Sequence, residues 1–141
     1  GNTASAVDYL ANRLSEQGVK DIRIFDVSKT DPSYIIANIF KYSHVVFAAP
    51  TYNLNLFPAM KSFLDEMAIL EIKNRQFAVI GNGTWSPTST KEMIEFFDTQ
   101  KGWTNLADTI TLKTAMVDDE KAQFDALAKT IADSVKATEI D

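Results

Sequence analysis

With 141 residues, 45% of them hydrophobic, the chain has material for one compact domain and not for two. It holds no cysteine and a single histidine, which excludes disulfides, thiolate nucleophiles, Fe–S clusters and structural zinc, so no metal site is expected. A formal net charge of −5 with no Lys/Arg cluster, and no apolar run near the ~20 residues of a membrane helix, exclude the ordinary footprints of nucleic-acid and membrane binding. They leave a cytoplasmic protein as the expectation.

Glycines and prolines fall between periodic segments and divide the chain into alternating helix and strand patterns. Val7, Leu10, Ala11 and Leu14 recur at helical spacing, and Gly18 closes that helix. Asp21 to Val27 is rich in β-formers with polar residues interleaved and predicts a strand near a sheet edge. Asp31 then caps a helix that starts at Pro32 and buries Ile35, Ile36, Ile39 and Phe40. His44 to Ala49 and Phe77 to Ile80 are short, apolar and bounded by breakers, as in strands covered on both faces of a parallel sheet. Between them Pro58 opens a helix with Met60, Phe63, Leu64 and Met67 inward. After the second strand, Ser89 and Glu92 have capping-box spacing ahead of Met93, Ile94 and Phe97. Leu106, Ile110 and Leu112 alternate in a last strand, and Asp118 caps a final helix with Phe124, Leu127, Ala128, Ile131 and Val135 on its stripe.

This order gives an α/β domain spanning residues 1 to 141, a doubly wound parallel sheet with right-handed crossovers and helices on both faces. Such domains begin with a strand that lies in mid-sheet and feeds a phosphate-binding loop, whereas the pattern here begins with a helix. The first strand is therefore expected to be missing. The gap it leaves is expected to be closed, either by Asp21–Val27 moving beside His44–Ala49 or by pairing with another copy as a homodimer.

Ligands of open parallel sheets bind beyond the carboxyl ends of the strands. Three segments lie there. Pro50 to Pro58 combines Thr51, Tyr52 and Asn53 with a second aromatic, Phe57, between two stiffening prolines. Gly81 to Thr88 allows close backbone approach and presents Asn82, Gly83, Thr84, Trp85 and Ser86. Asn2 and Thr3 open a helix whose unpaired N–H groups and dipole favour an anion. Two aromatics on adjacent loops suit a planar ligand. His44 starts a strand at the opposite end of the sheet and reads as structural, as does Trp103, which is expected to pack on the helix that holds Phe97. Asp118, Asp119 and Glu120 read as dipole-favoured residues of a first helical turn and not as a metal cluster.

Gly1-Asn2-Thr3 resembles the end of the flavodoxin phosphate loop. Pro50-Thr51-Tyr52-Asn53 with Leu56-Phe57-Pro58 is similar to the second loop of the flavodoxin-like domain of flavodiiron proteins (A-type flavoproteins), and Gly81 through Trp85-Ser86 to its third. The similarity runs over essentially the whole chain. It implies FMN as cofactor, with Asn2 and Thr3 on the phosphate, Thr51, Tyr52 and Asn53 beside the ring, and Asn82, Gly83, Thr84, Trp85 and Ser86 in the third loop around it. It also implies electron transfer to a diiron domain or another redox partner in an oxygen or nitric oxide reductase, and no complete catalytic site within this chain.

The residues leave other readings open. Gly83, Thr84, Pro87 and Asn55 depart from the family pattern, and the phosphate loop is short, so a degenerate interaction domain that binds no flavin, or one that binds FMN poorly, is the alternative. A phospho-acceptor signalling domain needs an Asp at the end of the central strand, which here ends Ala48-Ala49-Pro50, with Lys113 its only matching part. Nothing marks the nicotinamide site of a quinone reductase.

Overall fold

The computed structural model describes residues 2–52, 55–56, 58–82, 88–112 and 118–140, with the backbone alone at Asn2, 49–52, 55–56, 82, 88–90, 118–119 and 139–140. In chain order the elements are α1 (Asn2–Glu16), α2 (Pro32–Ile39), β1 (His44–Tyr52), β2 (Asn55–Leu56), α3 (Pro58–Ile69), β3 (Arg75–Asn82), α4 (Thr88–Asp98), β4 (Trp103–Asn105), β5 (Ile110–Leu112) and α5 (Asp118–Ile140).

The centre of the sheet is the parallel pair β1 and β3, in register from His44↔Gln76 to Pro50↔Asn82. Side-chain alternation along β3 feeds two cores. Phe77 and Val79 join α2, α3 and α4 in one cluster, while Ala78 and Ile80 join α1, β5 and α5 in the other. Both faces of β3 are thus covered, which is why its sequence is continuously apolar instead of alternating. Helices therefore lie on both faces of a parallel sheet, as the element order predicts.

The capping chemistry behaves as read. Asp31 accepts from the Ser33 amide at 2.8 Å, Pro32 begins α2 and Pro58 begins α3, and Gly18 has φ +98° beyond α1. At α4 the Ser89 side chain lies outside the described residues. Arg75 was not singled out in the sequence, yet its guanidinium donates to the carbonyls of Ile39 (3.1 Å) and Phe40 (3.2 Å) at the end of α2. It also donates to Lys73 O at 2.7 Å. Orphan carbonyls at a helix C-terminus are thereby satisfied from the neighbouring strand.

Four expectations need correction. Phe40, expected on the buried stripe of α2, is exposed, because the helix ends at Ile39 and Phe40 is its C-cap. Asp21–Val27 is not a strand: it makes no ladder with any described strand, because it faces the edge of β1 across a cavity that both line and a lone extended segment has no partner for its amides. Nor is the gap closed by its moving beside β1. A cavity of about 850 Å³ separates the two. The last strand is interrupted: β4 pairs with Arg75–Phe77 and β5 with Ile80–Asn82 along one edge of β3, and Leu106–Thr109 between them leave the ladder. Trp103 is therefore the first residue of β4, and it packs on α4 as expected, 4.8 Å from the Phe97 ring. Its indole N–H donates to Ile72 O at 2.8 Å.

Gly102 precedes β4 with φ +77°, and a Cβ there would meet the Asn74 side-chain oxygen and lie 2.9 Å from the Asn74 amide nitrogen. Asn74 itself has φ +60° and cannot retreat without disturbing the start of β3, where the Arg75 amide donates to Gly102 O at 3.2 Å. Gly102→Ala is therefore expected to destabilise the fold by about 1–3 kcal/mol. Urea denaturation of the two proteins checks this, and an unchanged midpoint would contradict it.

Candidate functional site

The carboxyl end of the sheet is assembled by the β1–β3 register. Ala49↔Gly81 and Pro50↔Asn82 are the last pairs of the ladder, so the chain leaves both strands at one level and side by side. Pro50 sits where the ladder stops, a position that tolerates the missing amide. Beyond it β1 runs on to Tyr52 and folds back through β2, with Thr51↔Leu56 and Tyr52↔Asn55 antiparallel. The segment read as a loop therefore holds an antiparallel strand pair. This pair packs against α4, which begins at Thr88 immediately after the second loop.

The N-terminus of α1 reaches the same end, as three contacts show. Tyr9 Oη donates to Asp125 Oδ1 at 2.8 Å, and an added Cβ on Gly18 would lie 3.8 Å from the Lys136 side chain, so α1 and α5 run parallel. Ser134 near the end of α5 meets His44 at the start of β1, at 2.8 Å. Both helices thus finish where β1 begins, and α1 starts where β1 ends. Asn2 and Thr3 in the first turn of α1 consequently face the level of the two loops, with helix-end N–H groups and the positive end of the dipole suited to an anion.

Of the sequence-derived site residues, Thr3 is half-buried in α1, and the backbones of Asn2, Thr51, Tyr52 and Asn82 stand at this end of the sheet. Asn53, Gly83, Thr84, Trp85 and Ser86 lie outside the described residues, as do Lys113 and Pro87. Asp118 and Asp119 begin α5, and no group of metal-ligating side chains exists among the described residues. None of their helices is long and apolar enough to cross a membrane.

His44 belongs to the opposite end. Ser134 Oγ donates to Gln76 Oε1 at 2.7 Å, so it accepts from His44 Nε2–H at 2.8 Å, and Nδ1 accepts from Ser43 Oγ at 2.6 Å. This arrangement fits the neutral ring, and burial lowers the His44 pKa from its ordinary 6.5. The aromatic cluster of Phe47, Phe77, Phe97 and Trp103, with Phe77 and Phe97 centroids 4.4 Å apart, was likewise not anticipated as a unit. Its members stand on separate strands and a helix, and only the fold brings them together.

No family model matches the chain. The anaerobic nitric oxide reductase flavorubredoxins of Escherichia coli and Shigella flexneri are 27% identical over 86 residues, which is 60% of this chain and 18% of theirs. The chain thus spans less than a fifth of these curated relatives. Among solved structures, rubredoxin:oxygen oxidoreductase from Desulfovibrio gigas superposes with a TM-score of 0.89 at 24% identity, covering 96% of this chain and 33% of the other. The Flv1 flavodiiron core from Synechocystis sp. PCC6803 gives 0.86 at 21%, covering 98% and 34%. Oxidised flavodoxin 1 from Bacillus cereus gives 0.81 at 17%, covering 94% and 90%.

A folded-state His44 pKa below the unfolded value means that the unfolded chain binds the proton first. The contribution of His44 to stability is therefore complete above about pH 6.5 and is lost as the pH falls through the range below it. The urea midpoint should hold between pH 8 and 7 and decline toward pH 5, and His44→Gln should flatten that decline. An equal slope in both proteins would show that His44 does not carry it.

Extending over nearly the whole length of a flavodoxin and about a third of each flavodiiron chain, the similarity establishes that this protein has the flavodoxin-like fold.

Proposed function

We propose that the chain is an FMN-binding electron-transfer domain of the kind carried by flavodiiron proteins, working with a diiron domain or another redox partner. The observation that carries this reading is that β1 and β3 end side by side, at the Pro50↔Asn82 register, at the same end of the sheet as the N-terminus of α1, which runs parallel to α5. The match to flavorubredoxin, a nitric oxide reductase by name, and to a flavodiiron core supports the same reading.

The residues suit FMN better than a dinucleotide. One helix end, that of α1, and one short loop offer a single anion site, with no second glycine-rich loop for an adenosine half. Asn2 and Thr3 would hold the phosphate. Thr51, Tyr52 and Asn53 would stand beside the ring, with Asn82 and Gly83 to Ser86 across from them, and Trp85 and Tyr52 would stack on it while excluding water. When bound, the flavin supplies one- or two-electron transfer, and the chain's part is to orient it and tune it. A net charge of −5 disfavours further negative charge on a bound group and so lowers its potential.

Titration with FMN and with FAD, followed by flavin fluorescence, tests this. FMN is expected to bind more tightly, and Trp85→Ala to weaken it about two- to twelvefold, the equivalent of ~0.5–1.5 kcal/mol of stacking, while relieving fluorescence quenching. Tighter binding of FAD would overturn the assignment, and no binding of either flavin would favour a ligand-free interaction domain.

A further inference from the structure

The polar network at the amino end of the sheet holds more than the burial of one ring requires. Its inner part is a chain of partners on three elements: Gln76 of β3 accepts from Ser134 Oγ of α5 at 2.7 Å, and Ser134 Oγ accepts from His44 Nε2–H of β1 at 2.8 Å. All three residues are half-buried, and each finds its partner within the chain. The outer end is different. His44 Nδ1 faces Ser43 Oγ at 2.6 Å, and Ser43 is exposed on the bend that precedes β1.

The proton positions follow from this order. A hydroxyl has one hydrogen to give, and Ser134 gives its own to Gln76, so Nε2 carries the ring hydrogen and Nδ1 presents its lone pair to the Ser43 hydroxyl. The backbone is held as well. Ser43 O accepts from the Gln76 amide at 2.9 Å, so hydroxyl and ring are fixed by the same strand ladder, and burial, by lowering the His44 pKa, keeps the ring neutral at pH 7. A hydroxyl bonded to an imidazole that a third group orients is the arrangement of an activated nucleophile. Ser28 supplies the contrast. Its hydroxyl is likewise exposed and donates to Asp26 Oδ1 at 2.6 Å, but the Ser28 hydroxyl and amide hold that carboxyl below its ordinary pKa, which makes it a much weaker base than an imidazole.

We propose that Ser43 is a nucleophile that accepts the acyl group of activated carboxylic esters, with His44 as its general base and with Ser134 and Gln76 positioning the ring. In this step Ser43 Oγ forms a bond to the ester carbonyl carbon and the bond from that carbon to the leaving oxygen breaks. The hydroxyl proton passes to His44 Nδ1 and from there to the departing oxygen. The magnitude sets the substrate class. General-base assistance is worth ~10²–10⁴-fold, which suffices for an ester with a good leaving group and falls far short of what an unactivated amide needs. The product is an alkyl ester of serine, less reactive than the donor, so the acyl group stays on Ser43 and the chain is modified once instead of turning over.

The test treats the full chain with p-nitrophenyl acetate at neutral pH, follows release of p-nitrophenolate, and locates the acetyl groups by peptide mass spectrometry over time. A burst of one equivalent is expected, with acetyl on Ser43 at least tenfold faster than on Ser28. Ser43→Ala should remove the burst, and His44→Gln should slow it at least tenfold. Ser134→Ala should slow it as well, and Ser134→Thr, which keeps the hydroxyl, should restore it, with the urea midpoint of each variant measured alongside. Equal acetylation of Ser43 and Ser28 in the unaltered chain overturns the proposal, and this comparison needs no variant to fold. A burst that survives Ser43→Ala, or one that His44→Gln leaves unchanged, overturns it too. No flavin takes part in these readouts, so their outcome is separate from that of the FMN titration.

Discussion

The parallel ladder between β1 and β3 is the constraint from which the remaining architecture follows. Its register, His44↔Gln76 through Pro50↔Asn82, fixes which side chains of β3 enter which core and brings two loops out of the sheet at one level. A slip of one residue would exchange Phe77 and Val79 with Ala78 and Ile80 between the two faces. The α2–α4 core, built from Phe63, Met67, Met93 and Phe97, would then receive Ala78 in place of Phe77, and the α1–α5 core the larger ring. Register is therefore specified by volume as well as by apolarity, and with it the site geometry.

Much of this was legible in the chain because the signals are local. Breakers at Gly18, Pro32 and Pro58 act through their own backbone dihedrals, and the stripes of α1, α3 and α5 are readable from periodicity alone. The segment Asp21–Val27 failed for an equally physical reason. Its β-propensity describes how well side chains fit a pleated, half-buried surface, and they do find both cores, but strand pairing requires a neighbour that sequence composition cannot supply. The split of the final strand into β4 and β5 was hidden for a similar reason: Leu106 follows the alternation, yet its amide bonds to Phe77 O at 2.9 Å as the chain departs.

The site was legible in kind more than in detail. Thr, Tyr, Asn and Trp between prolines and glycines signal a polar, aromatic-lined end of a sheet, and the fold puts the described ends of those segments, at Tyr52 and Asn82, there. The pairing of β1 with β2 was less visible, because a proline at position 50 argues against continuing a strand. The structure resolves that conflict by placing Pro50 at the last rung of the β3 ladder, so the strand continues with a different partner.

Helix α1 borders both the cavity and the candidate site, which raises the question of what holds it beside a large void. The answer lies on its other side. Asp125 of α5 accepts from Tyr9 Oη and from Arg13 Nε, both at 2.8 Å, and these two partners, Tyr9 first, hold its carboxyl below the usual carboxylate range. Arg13 also stacks over the Tyr9 ring at 5.3 Å and pairs with Glu16 at 2.6 Å. Beneath this polar clasp Ala6 and Leu10 pack with Phe124 and Leu127, all four buried. The clasp is half-exposed and modest in energy, so the buried seam supplies most of the docking and the ion pairs set its register. It is α5 that fixes α1 and so holds the helix N-terminus at the carboxyl end of the sheet. The candidate site at the carboxyl end of the sheet thus rests on a helix that is anchored by α5 and not by the cavity beside it.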